Sequence, residues 1–199
     1  MRPLILASQS PRRKKLLKQL GFRFRVVPSR VAEILSAKQS PGDNAKRIAL
    51  EKATDVASRI RKGIIIGADT LVVLDHHVLG KPNSKEDAKR MLRLLSGREH
   101  SVFTGFALID AETKKIVSAV EETRVRFRKL EEQEINNYVE SGSPMDKAGS
   151  YGIQDDFGAV FIERINGCYY NVVGFPLTRF YMTLKGFEYD LKADVKKKS

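Results

Sequence analysis

The sequence predicts an α/β fold, with a mixed and twisted sheet and flanking helices. Three observations lead to it. Short unbroken apolar runs at 4–7, 64–66 and 71–74 have the length of buried strands. Segments between strand candidates repeat apolar residues at helical spacing. Turn signals at Asp75-His76-His77 and Asn166-Gly167 join further candidates directly, which a purely parallel sheet does not allow.

The first strand, 4–7, stops at the polar trio Ser8, Gln9 and Ser10, where a helix begins. Ser10 can cap it and Pro11 suits the first helical position, while Leu16, Leu17 and Leu20 repeat on one face until Gly21 ends it. Unpartnered N–H groups at such a start, with a macrodipole equivalent to about +0.5 charge, favour an anion. Arg12 and Arg13 oppose that dipole unless an anion lies between them and the helix. The loop therefore reads either as a phosphate site or as the start of a solvated basic helix. Phe22, Phe24 and Val26 alternate with Arg23 and Arg25, as in a strand with one buried and one basic face. Segment 28–42 has no period and contains Glu33. A helix follows over 43–60, capped by Asp43 or Asn44. Its apolar stripe of Ala45, Ile48, Ala49, Ala53, Val56, Ala57 and Ile60 includes Lys52. An ammonium there is costly unless it meets an anion or snorkels out.

The runs 64–66 and 71–74 flank Gly67-Ala68-Asp69-Thr70, read as a loop, and Asp75-His76-His77 reads as a hairpin turn. Loop 80–83 leads to a helix over 85–95, where Ser84 and Asp87 suit a capping box and Gly97 is the stop. Strands are expected near 101–109, 116–119 and 123–128, a helix over 131–140, and a Gly/Pro-rich stretch over 142–152. Segments 160–165 and 168–173 around Asn166-Gly167 carry the strongest hairpin signal, and a last helix is expected over 177–184. One domain over 1–190 is expected, followed by a solvated basic tail over 191–199.

With 199 residues, 42% of them hydrophobic, the chain can bury a substantial core. No apolar run approaches the ~20 residues of a membrane span, and the N-terminal run does not fit a signal peptide, so a cytoplasmic protein is expected. The single Cys168 excludes an internal disulfide and a cysteine zinc site. A net charge of +12 points to anionic partners without separating nucleotides from nucleic acid or a phospholipid surface. The first thirty residues hold nine Lys or Arg and no carboxylate, so the charge is uneven.

Asp69, beside Gly67 at the end of an apolar run, stands where α/β sheets place ligand groups, although an Asp before Thr is equally a turn former. Arg12, Arg13, Lys52 and Lys81 occupy a first helical turn, an apolar stripe or a loop. Four cations with one or two carboxylates match a polyphosphate with a divalent metal. Glu33 is the second carboxylate, unless it is a solvated loop residue. Phosphate-loop, dinucleotide-fold and metalloprotease motifs are absent. His76, His77 and His100 do not form a metal set, and neither Ser8 nor Ser10 has a histidine partner in sequence.

Several segments together resemble the Maf family: L-I-L-A-S-Q-S-P-R-R at 4–13, E-K-A at 51–53, G-A-D-T at 67–70, L-G-K-P at 79–82, M-L-R-L-L-S-G at 91–97, D-K-A-G-S-Y-G-I-Q at 146–154 and N-V-V-G-F-P-L at 171–177. The resemblance covers about residues 3–185 in order. It implies the mixed α/β fold shared with inosine triphosphate pyrophosphatases, with a cleft between two lobes. It also implies a cytoplasmic, house-cleaning nucleoside triphosphate pyrophosphatase that uses a divalent metal (Mg or Mn). By motif, Asp69 resembles the proton acceptor or a metal ligand, with Glu33 as a second ligand. Arg12, Lys52 and Lys81 resemble phosphate-binding cations. Arg13, Thr70 and Gln154 resemble the specificity set of the branch acting on dTTP and UTP. Departures are Ala32 where an acidic residue often precedes Glu33, Asp155-Asp156 after Gln154 where glycine is usual, and Cys168 in place of a more polar residue. The expected partner is a nucleoside triphosphate. A homodimer is left open, a membrane is excluded and nucleic acid is disfavoured. The competing class is a non-enzymatic nucleic-acid-binding or cell-division regulator, which the basic first thirty residues favour and the lack of any nucleic-acid-binding motif opposes. Cleansing of modified nucleotides is a second enzymatic alternative.

Overall fold

The computed structural model describes residues 2–154, 157–187 and 189. The expected basic tail over 191–199 and the Asp155-Asp156 pair lie outside the described residues. In chain order the elements are β1 (Leu4–Leu6), α1 (Pro11–Gln19), β2 (Phe24–Val26), α2 (Pro41–Ala57), β3 (Ile64–Leu74), β4 (His77–Leu79), α3 (Lys85–Leu95), β5 (Glu99–Asp110), β6 (Ile116–Phe127), α4 (Glu132–Glu140), β7 (Ile162–Asn166), α5 (Tyr169–Val173) and α6 (Leu177–Lys185). Short 3₁₀ turns cover Ser143–Asp146, Ala148–Ser150 and Phe157–Phe161. The strands form one mixed sheet in the order β2-β1-β3-β5-β6-β7, with β4 paired to β3, in agreement with the expected fold class.

The chain divides into two compact units, one of Met1–Asp69, Thr104–Glu121 and Gly174–Ser199, the other of Thr70–Phe103 and Glu122–Val173. In the first, β1 runs parallel to β2 and β3, with Leu4 opposite Phe24 and Ile64, and α1 and α2 are the crossovers that parallel pairing demands. Alternation along the strands sends Ile5, Ile65, Ala107 and Ile109 toward Ala53 and Val56 of α2. Phe106, on the opposite face of β5, meets Phe180 of α6 edge-on at 6.1 Å. The contact between α2 and the sheet is backbone to backbone. A Cβ on Gly67 would lie 2.1 Å from the Ala49 carbonyl oxygen, and one on Gly105 would lie 2.3 Å from that of Ala45.

The second unit packs α3 and α4 on the later part of the strands through Leu92, Leu95, Val125, Phe127, Ile135 and Val139. His100 lies in this core, where its Nε2 meets the Tyr151 hydroxyl at 2.7 Å and its ring stands edge-on to Phe127. Burial pushes its pKa down to about 3. His76 and His77 are exposed at the β3–β4 turn, where Asp75 and His76 both adopt positive φ, as a two-residue hairpin turn requires.

Several expectations are corrected. Gly67–Thr70 is not a loop: β3 runs unbroken from Ile64 to Leu74, because Gly67 serves close approach rather than a turn. The strands expected at 116–119 and 123–128 are one strand, β6. Helix α2 starts at Pro41 and ends at Ala57, and its cap is Ser40, which accepts from the Asp43 N–H, rather than Asp43 or Asn44. In α3 the Ser84 cap is present, but the Asp87 carboxylate accepts from the Asn83 N–H in place of that of Ser84. Only Phe22 of the β2 alternation is buried, and Val26 is exposed at the sheet edge. The hairpin at Asn166-Gly167 does not form. Strand β7 pairs with β6, and residues after Cys168 turn helical as α5. Buried Thr123 captures that corner, since its Oγ1 accepts from the Cys168 N–H at 3.0 Å and from the Asn171 side chain at 2.9 Å. A tertiary polar anchor thus overrides the local turn signal.

Two tests follow from this packing. Gly67→Ala forces a methyl into the Ala49 carbonyl and is expected to lower stability by about 1–3 kcal/mol, read as a fall in urea midpoint. His100 binds its proton near pH 6.5 when unfolded and near 3 when folded. The stability it contributes is full above pH 6.5 and is lost as pH falls toward 3, at up to about 1.4 kcal/mol per pH unit. His100→Phe is expected to flatten the decline of urea midpoint between pH 6.5 and 4. An unchanged slope would place the acid sensitivity elsewhere.

Candidate active site

Four segments of the first unit build the site. The β1–α1 junction follows the sequence pattern closely: the Ser10 side chain caps α1 at the Arg13 N–H, and Pro11 opens the helix. Arg13 then turns inward. Its Nε donates to the Gly174 carbonyl at 3.0 Å and its Nη1 to Ser8 Oγ at 3.2 Å, so the guanidinium is buried. Burial lowers its pKa, against the raising pull of Asp69 and Glu33, and it remains a cation. Arg12 is half-buried one residue earlier.

Lys52 is the centre of the site. It lies on the sheet-facing side of α2, buried, and its Nζ donates to Asp69 Oδ1 at 2.7 Å and to Glu33 Oε1 at 2.6 Å. Of the two resolutions that an ammonium on an apolar stripe has, the structure adopts pairing with anions. Asp69 reaches Lys52 because β3 continues through Gly67, whose missing side chain lets α2 come down onto the strand. Burial raises the pKa of the Asp69 carboxyl above the ordinary carboxylate value, with Glu33 adding to the rise. Lys52 and Arg13 pull the other way without cancelling it.

Glu33 stands on segment 27–40, which lacks periodicity in sequence and regular structure in the fold. Side chains that carry no sequence signal of function fasten it to α2. The Asp55 carboxylate accepts from the Arg30 N–H at 3.0 Å. Asn44 accepts from the Ser36 N–H at 2.8 Å and donates to its carbonyl at 2.9 Å. Arg47 donates to the Ile34 carbonyl at 2.6 Å. The Arg30 N–H, with Arg59, holds Asp55 below the ordinary carboxylate range. Ser8 and Gly174 were likewise silent, except that both fall inside segments that resemble the family.

Thr70, Lys81 and Gln154 belong to the second unit. Thr70 follows Asp69 on β3, so its side chain leaves the strand on the opposite face. Lys81 is exposed on the loop after β4, and the Gly80 carbonyl accepts from the Gly149 N–H at 3.0 Å. Gly149 has φ +70, and a Cβ there would lie 2.9 Å from Val72, which accounts for its place in the segment 146–154. Gln154 is half-buried. Its Oε1 is buried with no hydrogen-bond partner among the described residues.

No group of three or more His, Cys, Asp or Glu is placed to hold a metal among the described residues. Two carboxylates, Asp69 and Glu33, nevertheless converge on one cationic point. That donor set fits Mg²⁺ or Mn²⁺, which take one or two protein carboxylates and complete their shell with water and substrate phosphate.

Residues 3–187 match the family described as Maf-like protein. The chain belongs to the Maf family. A relative from Bacillus cereus (strain B4264) named dTTP/UTP pyrophosphatase is 48% identical over 191 residues, covering 96% of this chain and 98% of its own length. One of the same name from Pelotomaculum thermopropionicum is 47% identical over 191 residues, 96% of this chain and all of the relative. In this Maf-family chain the segments at 4–13, 51–53 and 67–70 supply Arg13, Lys52 and Asp69. The segment at 171–177 contributes Gly174, which holds Arg13 in place.

Removing one partner of the buried pair leaves the other charge uncompensated. Lys52→Met is expected to lower stability by about 3–5 kcal/mol in urea unfolding, whereas Lys52→Met with Asp69→Leu recovers most of the loss. Equal losses in the single and double variants would show that Lys52 acts through packing alone.

Proposed function

We propose that this chain is a divalent-metal-dependent nucleoside triphosphate pyrophosphatase acting on dTTP and UTP, which releases the nucleoside monophosphate and pyrophosphate. The observation that carries the reading is the buried Lys52 between Asp69 and Glu33, beside a helix start that bears Arg12 and Arg13. The names of the relatives, dTTP/UTP pyrophosphatase, support the same substrate class.

Lys52 uses two of its three ammonium hydrogens on carboxylates, and the third is available to a phosphate oxygen. Arg12 and Lys81 are assigned to further phosphate oxygens. Asp69, with its pKa raised by burial, suits the role of general base for a water that attacks the α-phosphorus as pyrophosphate leaves. A divalent cation, Mg²⁺ or Mn²⁺, held by Asp69 and Glu33 would offset triphosphate charge and polarise phosphoryl oxygens. Arg13, Thr70 and Gln154 are assigned to base selection. The unpartnered Gln154 Oε1 is an acceptor for the ring N–H that thymine and uracil carry and cytosine lacks. An unpaired buried acceptor costs about 1–3 kcal/mol, so the wrong base is penalised about ten- to a hundredfold. A cytoplasmic, house-cleaning setting is part of the same proposal.

The test is pyrophosphate release from the common ribo- and deoxyribonucleoside triphosphates with Mg²⁺ or Mn²⁺. We expect kcat/KM to be highest for dTTP and UTP, and Asp69→Asn to lower it by about 10²–10⁴-fold. CTP at the head of the series would overturn the assignment of the base. Salt-dependent DNA binding with no pyrophosphate release from any triphosphate would overturn the enzymatic reading.

A further inference from the structure

Four successive residues just before Gln154 are tied, one by one, to the body of the second unit. The Gly149 N–H donates to the Gly80 carbonyl at 3.0 Å. Ser150 is fully buried, and its Oγ donates to Met91 Sδ of α3 at 3.1 Å. The Tyr151 hydroxyl shares a hydrogen bond with His100 Nε2 of β5 at 2.7 Å, and the Gly152 N–H donates to the Tyr138 hydroxyl of α4 at 3.3 Å. The backbone is held here against its own preference, since Gly149 and Ser150 have φ of +70° and +62°. Ser150 is not a glycine, and such a conformation persists only where the surroundings over-determine it. Two residues beyond Gly152 stands Gln154, half-buried, with its Oε1 buried.

The polar pair among these anchors is not what the core requires. His100 and Tyr151 lie in an aromatic cluster around Phe127, whose ring centroid is 5.2 Å from that of His100 and 4.8 Å from that of Tyr151. Apolar rings would fill the same space. The buried His100 Nδ1 has no hydrogen-bond partner among the described residues, which is a cost to the fold. What the hydrogen bond adds is position. Edge-on ring contacts tolerate sliding, whereas a hydrogen bond is directional, so the bond at the far end of Tyr151 fixes how deep the side chain sits. The course of the backbone that leads to Gln154 is fixed with it. We propose that His100 and Tyr151 are positioning residues for Gln154, whose hydrogen bond sets the place of the glutamine amide and thereby the discrimination of thymine and uracil from cytosine. The proposal rests on the reading of Gln154 as a base-selecting residue under Proposed function.

Steady-state kinetics with dTTP and dCTP test it, and the readout is the ratio of kcat/KM for the two substrates. Tyr151→Phe keeps the ring and removes the hydroxyl, and His100→Phe removes its partner. Each is expected to lower the dTTP over dCTP ratio by about five- to fiftyfold, through KM for dTTP, with kcat changed less than about threefold. Gln154→Ala is expected to lower the ratio as far, and adding Tyr151→Phe to it to lower the ratio no further. Stability and selectivity separate in the double variant Tyr151→Phe with His100→Phe, which leaves neither polar group buried without the other. Its urea midpoint is expected to reach at least that of wild type while the ratio stays low. The double variant also carries the test where a single substitution fails to fold. A wild type with no preference for dTTP over dCTP would overturn the reading of Gln154 and the proposal with it. A preference that the double variant keeps, or a loss from Tyr151→Phe that is equally large in the Gln154→Ala background, would overturn the proposal alone.

Discussion

One buried ammonium sets the terms for the first unit. Lys52 sits on the face of α2 that a globular helix reserves for apolar side chains, and it is stable there because Asp69 and Glu33 both accept from it. Bringing Asp69 within reach requires α2 to touch the strands at backbone distance. Gly67 and Gly105 allow that approach, since a Cβ at either would overlap a carbonyl of the helix. The glycine beside the carboxylate is therefore a packing requirement that makes the ion pair possible. Bringing Glu33 within reach requires an aperiodic segment to hold its course, and Asp55, Asn44 and Arg47 hold it to α2. Helix, strand and loop are each shaped by the same charge.

Placed together, these groups hold one another in fixed positions. Arg13 is fixed by Ser8 and Gly174, and Asp69 by Lys52. Burial raises the Asp69 pKa, while Lys52 and Arg13 restrain the rise. The second unit solves a different problem with the same economy. It keeps His100 neutral in an aromatic cluster, and it uses Gly149 to tie the Lys81 loop to the turn that precedes Gln154.

Much of this was legible in the sequence because it is local. The β1–α1 junction reads directly, since capping by Ser10 and the fixed φ of Pro11 act within a few residues. Helical periodicity alone places Lys52 on an apolar stripe, where an ammonium has to meet an anion or snorkel out. The segments at 4–13, 51–53 and 67–70 likewise identified the residues that gather around Lys52. What was misread is non-local. Gly67 looked like a loop because the helix that presses on it is distant in sequence, and Asn166-Gly167 looked like a hairpin because Thr123, which captures Cys168 and Asn171, lies more than forty residues earlier.

The sequence by itself determined the α/β class, the capped first helix and the unusual placing of Arg12, Arg13 and Lys52 that pointed to a phosphate site, because each follows from periodicity, capping or charge within a short window. Only the tertiary structure decided that β3 and β6 are unbroken, that Arg13 turns inward to Gly174 and that Glu33 shares Lys52 with Asp69. These depend on which backbones come close enough to exclude a side chain or to exchange a hydrogen bond. That proximity is a property of the whole chain, because burial strengthens each polar contact only after distant segments have removed the water.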